Sequence, residues 1–121
     1  MKHFLAITCC LLPCFTQSLE YKIQHENADV RVSKIILMPG EEVGLHRDEH
    51  PRTVIGLKGG TFKRIEEDGS SKDIVFLTGE AIFFEADPVG QKHRGINLSK
   101  TSLELIVVEY KTAALPQSAQ I

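Results

Sequence analysis

Residues 61–77, TFKRIEEDGSSKDIVFL, are two short runs rich in β-branched and aromatic residues placed either side of Asp68-Gly69. That dipeptide favours positive φ in a tight turn, so Phe62–Glu66 is expected to pair with Lys72–Leu77 as an antiparallel hairpin. The same punctuation continues outward in both directions. Upstream, Val30–Met38 is halted by Pro39-Gly40, Val43–His50 stays extended until Pro51, and Thr53–Leu57 runs into Lys58-Gly59-Gly60. Downstream, Thr78-Gly79-Glu80 makes a turn before Ala81–Phe84, followed by His93–Leu98 and Leu103–Lys111. Eight short strands spaced by turn residues, with no segment of helical periodicity, predict an all-β sandwich or barrel. Gly56, Gly59 and Gly60 do not make a phosphate loop, because no helix follows and no Lys-Ser or Lys-Thr pair stands after them.

The chain has 121 residues, 42% hydrophobic and 25% charged, which is one globular domain's worth. A formal charge of −2 lacks the clustered excess of Lys and Arg that nucleic-acid binding requires. The longest apolar run lies at the N-terminus, where Lys2 and His3 precede Phe4–Phe15, interrupted by Thr8 and Pro13. It is too short to span a bilayer, and Thr16-Gln17-Ser18 supplies small residues before a cleavage point. Residues 1–18 are therefore expected to be an export signal cut after Ser18, or alternatively after Thr16. Cys9, Cys10 and Cys14 all fall inside it, and none follows the small Gly or Ala of a lipoprotein site. The product, a domain over 19–111 with a tail over 112–121, is then a periplasmic or secreted protein without disulfide or thiol nucleophile. Losing Lys2 makes its formal charge −3.

Leu103–Lys111 places apolar residues on both parities, Leu105 and Val107 on one and Ile106 and Val108 on the other. Both faces of that strand are expected to be buried, the outer one in a homodimer. Thr112–Ile121 has little to bury and reads as a loose terminus.

Chemistry concentrates in three residues. His46 and Asp48 are two apart on one extended segment, which puts their Cα atoms about 6.6 Å apart on the same side, and His93 opens a later strand. Two imidazoles and a carboxylate are a ligand set for iron, and also for zinc or manganese. His50 is the rival ligand; it shares their parity but lies roughly 13 Å from His46 if the segment stays extended. Arg52 also shares that parity. A fixed positive charge ~6 Å from a divalent ion costs up to about 6 kcal/mol at an effective dielectric of 20, so Arg52 is expected either to weaken a metal site or to bind an anion.

At this point the sequence resembles the small single-domain cupins of the RmlC-like jelly-roll superfamily. Gly40, five residues, His46, Arg47 and Asp48 stand where the family's first motif has Gly, five residues, His, any residue, His. Gly79 with His93 and Asn97 resembles the second motif, in which a His is followed by Asn. The resemblance covers about residues 30–111 and implies a jelly-roll β-barrel, with a dimer common among small members. It also implies that His46 and His93 are metal ligands and that Asn97 belongs to the site. The departures bear on function. The second His of the family is Asp48 here, its Glu falls on Arg52 or Thr53, its Pro is Glu85, and five residues separate Asp87 from His93.

Two readings of the barrel interior follow. In the first, the metal site is degenerate and Arg52, His50 and Asn97 hold a small anionic ligand or a partner group, with no cofactor. In the alternative, His46, Asp48 and His93, with His50 as a further candidate, hold Fe, Mn or Zn in an oxygenase- or isomerase-type enzyme, and Arg52 anchors a substrate carboxylate. Asn97-Leu98-Ser99 also matches a glycosylation acceptor, but Asn97 already fits the barrel motif.

Overall fold

The computed structural model describes residues 19–112, and the expected export segment 1–18 and residues 113–121 of the expected tail lie outside that range. Nine strands build it: β1 Glu20–Glu26, β2 Val30–Leu37, β3 Glu42–His46, β4 Arg52–Lys58, β5 Gly60–Glu66, β6 Ser71–Phe76, β7 Ala81–Phe84, β8 His93–Asn97 and β9 Leu103–Tyr110. There is no helix among the described residues, and so none long and apolar enough to cross a membrane. The expected all-β fold is present.

Two antiparallel sheets face one another, ordered β1-β2-β9-β4-β7 and β3-β8-β5-β6. The Asp68-Gly69 hairpin joins β5 to β6 as expected: Gly69 adopts φ of +92°, and the Asp68 carboxylate accepts from the Ser70 amide at 2.8 Å. Pairing runs from Gly60 opposite Phe76 to Ile65 opposite Ser71.

Two expectations need correction. Strand β1 adds a ninth strand; it is exposed along its whole length and held by its ladder to β2, so burial left no strong apolar signal in its sequence. The segment Val43–His50 does not stay extended, because β3 ends at His46. Beyond it the Asp48 amide donates to the Asp87 carboxylate, and the Asp87 amide donates to the Asp48 carbonyl, each at 2.8 Å. Those loop contacts replace the strand ladder and satisfy the backbone in another way.

The inner face of the five-stranded sheet is layered along the barrel axis by strand register. Arg31, Glu109 and Arg52 form one rung at the mouth; Ser33, Val107 and Val54 form the next; Ile35, Leu105 and Gly56 the third; Leu37 and Leu103 the last. Leu37 and Leu103 are fully buried, and with Phe76, Leu105, Val54 and Val107 they make the core. Asn97 seals this closed end, donating to the carbonyls of Leu37 at 3.0 Å and Thr101 at 3.1 Å. On β8, Gly95 permits the Phe62 ring to lie against the strand, where any Cβ would collide with it.

Strand β9 is apolar on both faces, as its sequence predicts. Leu103, Leu105 and Val107 point inward and are buried, while Ile106 and Val108 are half-buried on the outer face. Val32 and Ile55 extend that outer face on the neighbouring strands, and the Phe83 ring stacks on Tyr110 with centroids 6.4 Å apart.

Candidate metal centre and barrel cavity

A cavity of about 480 Å³ opens between the sheets, with His46, Asp48, Arg52, Arg64, His93 and Glu109 among its polar lining. Register brings the two histidines together, since His46 on β3 pairs directly with His93 on β8. Their ring centroids are 4.4 Å apart. Asp48 reaches the same point from the loop after β3, its Oδ1 3.4 Å from His46 Nε2 and its Oδ2 3.3 Å from His93 Nε2. One donor atom from each of the three lies within 4.8 Å of the others.

Each of these groups is oriented from behind. His46 donates its Nδ1–H to the Gly44 carbonyl at 2.7 Å, which turns Nε2 toward Asp48. His93 is 3% exposed, and its Nδ1 lies 3.1 Å from Asp87 Oδ2, although not aligned for a hydrogen bond. Arg52 Nη2 lies 2.9 Å from Asp48 Oδ2, and its guanidinium sits 5.0 Å from the Phe84 ring centroid. Arg52 thus lies inside the barrel with His46 and Asp48, engaged with a carboxylate oxygen.

The donor set fits a divalent ion. Around an ion with bonds of about 2.1 Å, neighbouring ligand atoms sit roughly 3.0–3.4 Å apart; each imidazole Nε2 lies at such a distance from one Asp48 oxygen, His46 from Oδ1 and His93 from Oδ2, and one donor from each residue lies within 4.8 Å of the others. Outer partners that fix ring orientation, as the Gly44 carbonyl does for His46, are the usual support of such a site.

Sequence reasoning missed Asp87 and Arg64. Asp87 is buried and binds Arg64 Nη2 at 2.9 Å, and Arg64 also pairs with Glu66. The inward parity of Phe62, Arg64 and Glu66 on β5 was the available signal for the arginine. Asp87 offered none, because its role depends on a contact between two distant loops. His50 does not line the cavity, and neither does Asn97. The Asn97 side chain is committed to the closed end, which also removes it as a glycosylation acceptor in the folded chain.

Burial would push the Asp48 carboxyl up, but hydrogen bonds from His46 and His93 and the charge of Arg52 outweigh it and hold the group far below the ordinary carboxylate range. Asp87 behaves alike: burial opposes ionisation, while the Asp48 amide and Arg64 lower its pKa. The bond to Asp48 raises His46 above its ordinary value, against burial. A depressed carboxyl contributes stability that is complete above its unfolded value near pH 4 and is lost as pH falls. A raised histidine contributes fully below its unfolded value of about 6.5 and fades as pH rises through the folded one. The metal-free chain is therefore expected to be most stable between about pH 5 and 6.5. Urea midpoints from pH 3 to 9 check this; a midpoint rising steadily to pH 9 would contradict it.

No family model matches the chain. It is 32% identical over 89 residues to the β-alanine degradation protein BauB of Pseudomonas aeruginosa, covering 74% of this chain and 90% of that protein. Among solved structures, a cupin domain from Bordetella pertussis Tohama I superposes with a TM-score of 0.70 at 23% identity, over 78% of this chain and 95% of that one. An RmlC-like cupin with a double-stranded β-helix fold from Methanocaldococcus jannaschii gives 0.61 at 19% identity, over 77% and 80%. At such identities the two structures carry the fold alone.

Proposed function

The chain belongs to the cupin family, and from that premise we propose that it holds a divalent cation on His46, Asp48 and His93 and acts on a small carboxylate-bearing molecule inside the barrel. The observation that carries this reading is the convergence of two imidazole Nε2 atoms on one carboxylate, at 3.3 and 3.4 Å from its oxygens, with the His46 ring oriented by the Gly44 carbonyl and the carboxylate held by Arg52. Iron, manganese and zinc all suit the set. A bound cation would supply Lewis acidity with open positions for a substrate oxygen. The chain's own residues do the rest: Arg52 holds the Asp48 carboxylate and offers its remaining N–H groups to an anion, while the apolar walls exclude water. The relative BauB is named for β-alanine degradation; of that zwitterion only the carboxylate matches the Arg52 site, and it is the carboxylate alone that supports the substrate class.

Elemental analysis of untagged protein from its native compartment tests the reading. About one equivalent of metal per chain is expected, removed by a chelator and restored by the ion alone. A metal-free barrel that binds carboxylates through Arg52 is the second reading, favoured by the 2.9 Å contact of Arg52 with Asp48. Absence of metal combined with carboxylate binding would select it.

Export and dimerisation complete the proposal. The charged start and apolar run before Ser18 support a secreted or periplasmic protein beginning at Leu19, as intact-mass analysis of that fraction would register. The outer face around Ile106, Val108 and the exposed Phe83 supports a homodimer, since contiguous apolar surface of this kind favours association. Light scattering is expected to give twice the chain mass. A monomer at micromolar concentration would refute the dimer.

A further inference from the structure

The cavity wall formed by β2, β9 and β4 carries two buried polar atoms that the candidate metal centre leaves unused. Ser33 is 1% exposed, and its Oγ has no hydrogen-bond partner; Arg52 Nη1 is buried and likewise unpartnered. Both residues line the same cavity. They stand on the two strands flanking β9, one rung apart, for Ser33 pairs with Val107 and Arg52 with Glu109. A buried donor without an acceptor is costly, and two of them on adjacent rungs mark a place where a ligand oxygen would be welcomed.

The surroundings decide what else that ligand carries. Beyond Ser33 the rungs are Ile35 with Leu105 and then Leu37 with Leu103, closed by Phe76. The available volume, about 480 Å³, is of the size that accepts a molecule well beyond a bare carboxylate. A cationic head is disfavoured, because the nearby carboxylates are already held: Asp48 by Arg52 and the histidines, and Glu109 by Arg31 at 3.3 Å.

We infer that Ser33 and Arg52 form a subsite for the carboxylate of a molecule with an extended apolar body, the body lying along the inner rungs toward the closed end of the barrel. This rests on the reading of the cavity as a carboxylate site and adds Ser33 as a specificity-determining residue together with the apolar substrate class. It does not depend on the metal.

Calorimetric titration of chelator-treated full chain with acetate, butanoate, hexanoate, octanoate and octylammonium tests it. Affinity is expected to rise about fourfold per added methylene until the cavity is filled, with octylammonium not binding. Ser33→Ala is expected to weaken octanoate roughly tenfold while leaving the thermal midpoint of the ligand-free protein unchanged or raised, since it removes an unpartnered hydroxyl. Ser33→Cys, nearly isosteric, serves if the alanine variant does not fold, and is expected to fall in the same direction. Octylammonium binding as tightly as octanoate would overturn the inference, as would affinity independent of chain length. A Ser33→Ala protein that binds like the wild type but melts lower would overturn it too, by making the serine structural. Acetate binding without any gain from longer chains would leave the carboxylate reading standing and remove the apolar class alone. A separate titration with zinc reports on the metal reading independently.

Discussion

Replacing His93 with alanine is expected to lower affinity for a divalent ion by more than about 100-fold, the upper range for losing merely an outer partner. His93 is 3% exposed, anchored to β8 and paired in register with His46, so no other imidazole can take its place. His50, the rival ligand in the sequence, does not line the cavity. Asp87→Asn provides the graded comparison. It keeps the shape of the side chain but weakens the charge beside His93 and the grip on the Asp48 loop, and is expected to cost roughly 10- to 100-fold. Titration of zinc or manganese into chelator-treated protein checks both, with circular dichroism confirming that each variant remains folded. Stoichiometric binding by His93→Ala at wild-type affinity would place the ion elsewhere and remove the proposed centre.

The parts of this molecule that local chemistry determines were legible in its sequence. Asp68-Gly69 requires positive φ and sets the β5–β6 register, and the mixed parity of Leu105, Ile106, Val107 and Val108 announces a strand apolar on both faces. Strand β1 was not legible, because an exposed edge strand has no buried face to impose alternation on its side chains. The site was half legible. The shared parity of His46, Asp48, His50 and Arg52 assumed an extended segment, but β3 ends at His46, Asp48 arrives by a loop clasped to Asp87, a contact between residues 39 apart that no local rule contains, and His50 does not line the cavity. Arg52 shows the limit of reasoning from charge alone. Its repulsion toward a cation was readable, whereas its grip on Asp48 Oδ2, the oxygen that also faces His93 Nε2, follows from the geometry of the folded state. Asn97, taken by resemblance for a site residue, is instead held by the carbonyls of Leu37 and Thr101 at the closed end.

Asp48→Ala is expected to destabilise the metal-free protein by about 3–5 kcal/mol, the cost of leaving one member of a buried ion pair without its partner. The side chains of Arg52 and Asp48 are only 13% and 23% exposed, so solvent screens their pairing weakly. Removing the carboxylate strands the Arg52 guanidinium over Phe84 and also takes away the acceptor shared by His46 and His93. With a urea dependence of about 1–3 kcal/mol per molar, the unfolding midpoint should fall by more than about 1 M. The double replacement Asp48→Leu with Arg52→Met separates pairing from packing. Because two apolar side chains carry no desolvation cost, the double variant is expected to recover most of the loss and could exceed the wild type, as buried ion pairs exchanged for hydrophobic residues often do. Such recovery would mean that the pair is retained for what it holds in the cavity, not for the stability of the barrel. A double variant as unstable as Asp48→Ala alone would instead assign the pair to the architecture, and the cavity reading would lose its strongest electrostatic support.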